Sequence, residues 1–303
     1  AGALGGMVDC CYGIIESKTM AGIEMAQSSG LTLVPESKRN PLYTTTYGLG
    51  QVIKDAINQG CRRFIIGIGG SATNDGGIGM LQALGFELLD EDGKQVDFGA
   101  LGLKQLKIIK TSKVLPVIKE CDFMIACDVN NPLCGPLGSS YVYGSQKGAN
   151  KELIVQMDKW LNEYAILSKE ICPLANMNYP GAGAARGLGF AFLTFLNAKL
   201  DSGIKLILQE INFEEEVKDA NLIITGEGSL DFQTTMGKAP IGVAKLAKKY
   251  NLPVIAFAGS ISNDANICNN AGIDAYFSIL RNIVTLPEAM NKERAKENIT
   301  NTV

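Results

Sequence analysis

The apolar residues of this chain fall into short runs separated by glycine-rich, polar turns. Arg62–Ile68 reads as a strand centred on Phe64, Ile65 and Ile66, and Phe86–Leu89 and Phe123–Cys127 read the same way. Tyr12–Ile15 is strand-like, and Thr19–Met25 is mixed. Helical patterns cover Gly48–Asn58 and Asp75–Leu84, the second stopped by Gly85. Asn150–Cys172 repeats Leu153, Ile154, Met157, Trp160, Leu161, Tyr164 and Leu167 on one face, which predicts a long amphipathic helix. Ala182–Leu200 is apolar nearly all round, the pattern of a buried helix.

From Phe213 the rhythm changes to short alternating units. Strands are predicted at Leu222–Thr225, Val254–Phe257 and Ala275–Ile279, and helices at Lys238–Tyr250, Asn263–Ala271 and Leu286–Asn298. Alternation of this kind predicts an α/β fold with a parallel sheet and right-handed crossovers. Ligands in such folds lie outside the carboxyl ends of the strands. The change of rhythm puts a domain boundary near Ile211–Phe213, giving domains 1–212 and 213–303.

Composition alters this picture mainly by exclusion. The chain has 303 residues, a net charge of −3 and no histidine. A Ser-His-Asp triad, a Cys-His protease pair and a His-ligated zinc are therefore excluded. Acid–base chemistry falls to Asp, Glu, Lys, Tyr or Cys. The eight cysteines include no CxxC spacing, so reduced thiols and a cytoplasmic location are expected. No basic patch suggests a nucleic-acid partner, and no apolar run is long enough to cross a membrane.

Candidate chemistry lies in four loops that follow apolar runs with glycines and polar or charged side chains. The first is Gly67–Gly77, where the amides of Gly69, Gly70, Ser71, Ala72 and Thr73 can face an anion, with Asn74 and Asp75 beside them. The second, Cys127–Gly138, carries Asp128 and Asn130, and Lys147 follows it as a candidate phosphate partner. The third, Pro180–Gly189, offers Gly181 and Gly183. Its Arg186 either adds charge to an anion site or snorkels to solvent. The fourth, Thr225–Lys238, holds Glu227, Ser229, Asp231 and Lys238. It is not a Walker A loop, because Phe232 and Ala239 break that pattern. Gly67-Ile68-Gly69-Gly70 likewise fails as a dinucleotide fingerprint. The residues alone point to an α/β enzyme for a small anionic, hydroxylated substrate, with a nucleotide and magnesium as companions.

Taken together, Gly67–Gly93, Ala126–Ala149, Gly181–Leu208, Ala220–Ala244 and the stretch Asn40–Gly48 resemble the class I glycerate kinases. The resemblance runs over almost the whole chain. It implies two lobes, a Rossmann-like parallel-sheet lobe and a larger inserted α/β lobe, with the active site in the cleft between them. Phe213–Val303 would then be the C-terminal part of the Rossmann-like lobe. It also implies ATP-dependent phosphorylation of D-glycerate, usually to 2-phosphoglycerate. Asp75 or Asp128 would be the base, Glu227 and Asp231 the magnesium ligands, and Lys238 and Lys147 stabilisers of transferring charge. The glycine-loop amides, with Asn74, Asn130 and Ser229, would hold phosphates and the glycerate carboxylate.

Two departures from the family pattern stand out. The family's N-terminal segment, with its Asp-Ser-Phe-Lys-Gly and Asp-Gly-Gly-Glu-Gly motifs, has no counterpart in these residues, so an incomplete Rossmann-like sheet is expected. Arg186 stands where a glycine or alanine is expected. A non-catalytic sugar-acid sensor and a nicotinamide-dependent oxidoreductase are the alternatives from other classes, and a homodimer is left open.

Overall fold

The computed structural model describes residues 1–144 and 149–303, and Lys147 lies outside the described residues. The chain forms two compact units, Ala1–Asp201 and Ser202–Val303. The observed division falls eleven residues before the expected boundary. The amphipathic helix Gly203–Glu210 belongs to the second unit, where it packs on helix Ala239–Lys248.

The first unit is built on strands β1 (Gly13–Ile15), β2 (Met20–Glu24), β3 (Arg63–Gly67), β4 (Glu87–Leu89), β5 (Ile108–Lys110), β6 (Asp122–Ala126) and β7 (Lys199–Asp201). The main sheet has the order β1-β2-β3-β6-β7, parallel except for the antiparallel β1 edge. β4 and β5 form a separate antiparallel pair. The central strands are apolar runs because both faces are covered: Phe64 and Ile66 on β3 and Ile125 on β6 are fully buried. Phe64 is in register with Phe123, and their rings stack at 4.9 Å. Helix Lys151–Ile171 matches its predicted span and is capped by the Asn150 side chain, which accepts from the Leu153 amide at 2.8 Å. Its Ile154, Met157, Leu161 and Tyr164 are buried, as the spacing requires.

Ala182–Leu200 is not one helix. Turns occupy 180–187, the helix spans Leu188–Phe195, and Lys199–Asp201 is β7. Ala185, Arg186 and Gly187 all have positive φ (45°, 55° and 89°), and three left-handed residues in a row cannot continue a right-handed helix. Gly76 and Gly77 (φ 61° and 81°) similarly delay the first predicted helix of the glycine loop to Ile78–Ala83. The predicted helix Leu286–Asn298 is two helices, Leu286–Ala289 and Lys292–Thr302.

The second unit contains β8 (Ile223–Leu230), β9 (Val254–Ile261) and β10 (Ala275–Ser278), all parallel in the order β10-β9-β8. Ile223, Val254, Ala256 and Ala258 form a buried cluster with Ile241, Ala244 and Ala247 of helix Ala239–Lys248. The opposite face carries Ile224 and Phe277, each about half exposed at 55% and 48%. The α/β class with parallel sheets is as read from the sequence.

Candidate active site

In the first unit, the carboxyl ends of the parallel strands carry acids. Glu24 ends β2, Asp201 ends β7, and Asp128 lies two residues past β6. The register aligns Glu24 with Gly67, Gly67 with Ala126 and Ala126 with Asp201. Gly67 leaves room for the Glu24 carboxylate, which would lie 2.6 Å from a Cβ at that position and would have to swing away. Asp128 and Asn130 are both exposed beyond the strand end.

The loop after β3 is divided between surface and core. Gly69 and Gly70 are exposed, and no atom lies within 4 Å of a Cβ placed on Gly69, so a ligand can approach that backbone closely. Ser71, Thr73, Asn74 and Asp75 are buried. An antiparallel bridge between Gly30 and Ser71 pins the loop, with the Ala72 amide donating to the Ser29 carbonyl at 2.8 Å.

Asp75 has no solvent exposure. Its carboxylate accepts from the Thr46 amide (2.8 Å), the Thr46 hydroxyl (2.9 Å), the Gly77 amide (3.1 Å) and the Gly79 amide (3.3 Å). Burial pushes its pKa up, and the four donors act in the opposite direction. It ties the start of helix Tyr47–Asn58 to the start of helix Ile78–Ala83. That geometry is of a positioning residue, with no open approach for a substrate hydroxyl.

The turn 180–187 uses its own amides. The Gly183 amide donates to the Asn131 carbonyl at 2.9 Å, and the Ala182 and Ala184 amides donate to Tyr179 and Gly181. A Cβ on Gly183 would sit 2.2 Å from the Pro132 carbonyl oxygen. Gly183 thus serves a close approach of two backbone segments, and its amide is not presented to an anion. Arg186, by contrast, points a buried guanidinium at Ser71, donating to its hydroxyl at 3.0 Å.

In the second unit the fourth loop closes into a polar cluster at the end of β8. Thr234 is its hub. Its hydroxyl lies 2.5 Å from Glu227 Oε1 and 3.3 Å from Asp231 Oδ1, and accepts from the Asp231 amide at 3.1 Å. The Thr234 amide donates to Asp231 Oδ1 at 3.0 Å, completing a capping box. Lys238 Nζ is 3.6 Å from Asp231 Oδ1. Partial desolvation of Asp231 works to raise its pKa. The Thr234 amide, the Lys238 ammonium and the Thr234 hydroxyl outweigh it and hold the carboxyl below its ordinary value. Gly237 (φ 104°) turns the chain into helix Ala239–Lys248 just after this cluster. Ser229 lies on β8 opposite Ser260, its carbonyl 3.4 Å from the Thr234 hydroxyl.

Glu227, Asp231 and Lys238 are therefore brought together, and Thr234, unmarked in the sequence reading, joins them. Its signal was its place three residues after Asp231, the spacing of a cap. Among the described residues no three His, Cys, Asp or Glu side chains form a metal cage. Magnesium commonly takes one or two protein carboxylates and completes its shell with phosphate and water. Glu227 and Asp231, joined through one hydroxyl, fit that requirement. No helix among the described residues is long and apolar enough to cross a membrane.

Comparison with known proteins shows the family and the fold. The glycerate kinase family model matches residues 1–303, and the chain belongs to that family of enzymes. It is 50% identical to a glycerate kinase of Halalkalibacterium halodurans over 98% of this chain and 80% of the relative. It is 47% identical to the glycerate 2-kinase of Escherichia coli over 100% of this chain and 81% of that protein. A crystal structure from Salmonella typhimurium LT2, assigned as a glycerate kinase 2, superposes with a TM-score of 0.88 at 43% identity, covering 99% of this chain and 78% of that one.

Proposed function

We propose that the protein transfers the γ-phosphoryl group of ATP to D-glycerate, giving 2-phosphoglycerate. The observation that carries this reading is the Glu227–Asp231–Thr234–Lys238 cluster at the carboxyl end of β8, in a chain of this family. Phosphoryl transfer needs positioning and charge neutralisation more than covalent chemistry, and the cluster offers both. Lys238 supplies a positive charge held in place by Asp231. Glu227 and Asp231 would hold magnesium, which when bound neutralises phosphate charge.

Asp128 is the candidate base. It is exposed at a strand end, where ligands of α/β folds bind. It would orient a glycerate hydroxyl and take its proton. The exposed Gly69-Gly70 backbone suits contact with an oxyanion. Asn130 in the first unit and Ser229 in the second are further candidate substrate- or phosphate-binding residues. The family relatives named glycerate kinase and glycerate 2-kinase support this choice of acid.

The test is ADP release by the purified protein with ATP and magnesium, comparing D-glycerate with L-glycerate, lactate and no acid. Release that depends on D-glycerate and on magnesium supports the reading. Equal release with every acid, or none with any, refutes it. Asp128→Asn should lower kcat by roughly 10²- to 10⁴-fold, the usual worth of a general base, with melting unchanged because the side chain is exposed.

A further inference from the structure

Arg186 carries a charge that no ion pair among the described residues neutralises. The residue is only 8% exposed. One terminal nitrogen donates to Ser71 Oγ at 3.0 Å, and the other donates to the Tyr143 carbonyl at 3.2 Å. The guanidinium lies 5.2 Å over the Tyr143 ring. Its Nε is buried without an acceptor among the described residues. A guanidinium has five N–H donors, so most of its capacity is unused. No carboxylate contributes to its electrostatics, and burial lowers its pKa from 12.5 to about 10.

Burying an unpaired cation is costly, and buried polar groups are normally satisfied. The backbone adds to the anomaly: φ is 55°, a region that disfavours side chains. A glycine would sit there without strain, so the turn itself does not call for arginine. The one hydroxyl that Arg186 contacts belongs to Ser71, next to the exposed Gly69-Gly70 backbone.

We propose that Arg186 receives an oxyanion of a reactant, the carboxylate of the acid or a phosphate of the nucleotide, on the donor edge left unpaired among the described residues. Two oxygens of a carboxylate or of a phosphate match that planar fork in a two-point contact. The inference rests on the kinase reading above and names a substrate-binding residue that reading does not require.

The test is steady-state kinetics of Arg186→Gly and Arg186→Lys in the whole protein. Glycine fits the positive φ, so Arg186→Gly should melt cooperatively near the wild-type temperature. It should raise the KM of one reactant roughly 10- to 100-fold, the equivalent of losing hydrogen bonds to a charged group. The KM of the other should stay within about twofold, and free guanidinium ion should restore part of the loss. A rise confined to glycerate assigns the carboxylate, and one confined to ATP assigns a phosphate. Arg186→Lys keeps the charge without the fork and should raise the same KM by less. Both KM values within about twofold of wild type in folded Arg186→Gly, or in Arg186→Lys should the glycine variant not fold, would overturn the proposal. Wild-type protein with no glycerate-dependent turnover would instead refute the kinase reading, and this proposal with it.

Discussion

A buried carboxylate with four donors is a fastener, and Asp75 is best understood that way. Removing it strands the Thr46, Gly77 and Gly79 amides and the Thr46 hydroxyl in a dry interior. Asp75→Ala should therefore cost about 3 kcal/mol or more in denaturant unfolding, with turnover of the remaining folded protein largely kept. Loss of turnover at unchanged stability would make Asp75 a base after all. Thr234 works differently, because it joins the two acids proposed to hold magnesium. Thr234→Val keeps the shape and removes the hydroxyl that joins Glu227 and Asp231. The magnesium concentration for half-maximal activity should rise by about 10-fold or more, as for outer-shell partners of metal sites. An unchanged magnesium midpoint would argue against the assignment. Both residues show where single-residue reading stops. Ser71, Thr73, Asn74 and Asp75 look like surface chemistry by residue type, yet all four are buried. The orientation of a polar side chain depends on partners such as Thr46, 29 residues away, and no local pattern encodes them.

At the scale of elements, the strands and long helices were legible because burial imposes a period. β3, β6, β8 and β9 lie where apolar runs were seen, and helix Lys151–Ile171 follows its 3.6-residue stripe. The failure at Ala182–Leu200 has a specific cause. Gly-Ala-Gly-Ala-Ala-Arg-Gly contains nothing that forbids a helix outright, and only the left-handed φ values of Ala185, Arg186 and Gly187 end it. Those values are set by packing: a Cβ on Gly187 would lie 2.9 Å from the Gly76 Cα, which couples this turn to the first glycine loop. Gly187→Ala should destabilise the protein by about 1–3 kcal/mol, and a neutral result in denaturant titration would show that the turn can shift. In the second unit, Asp274 fixes the start of β9 and the end of helix Ala239–Lys248. It accepts from Lys248 Nζ and from the Val254 amide, each at 2.6 Å. These contacts, the Lys248 one foremost, hold its pKa below the ordinary 3.8. A depressed carboxylate stabilises the folded state above its unfolded pKa, and that contribution is lost as pH falls through the lower folded value. Asp274→Asn should therefore weaken the protein at neutral pH and flatten the acid end of its stability curve below pH 3.8. A wild-type-like acid limb in the variant would contradict this.

For the whole molecule, the family is secure from the match over residues 1–303 and from relatives at 50% and 47% identity. The sequence motifs carried that resemblance because a glycine at a close backbone approach, as at Gly183 and Gly226, admits no other residue without displacing backbone. The division into units was less legible, since helix Gly203–Glu210 reads as amphipathic whichever unit it joins. These 303 residues contain no histidine, so the groups proposed above for the reaction are carboxylates and a lysine: Asp128 in the first unit, and Glu227, Asp231 and Lys238 in the second. The most direct measurement is the identity of the phosphorylated product. The protein is incubated with ATP, magnesium and D-glycerate, and the product is read through enolase without any mutase. The account predicts glycerate-dependent ADP with an enolase signal that rises at once, as 2-phosphoglycerate requires. ADP release without that immediate signal would contradict the site of phosphorylation, and no glycerate-dependent ADP from folded protein would contradict the function itself.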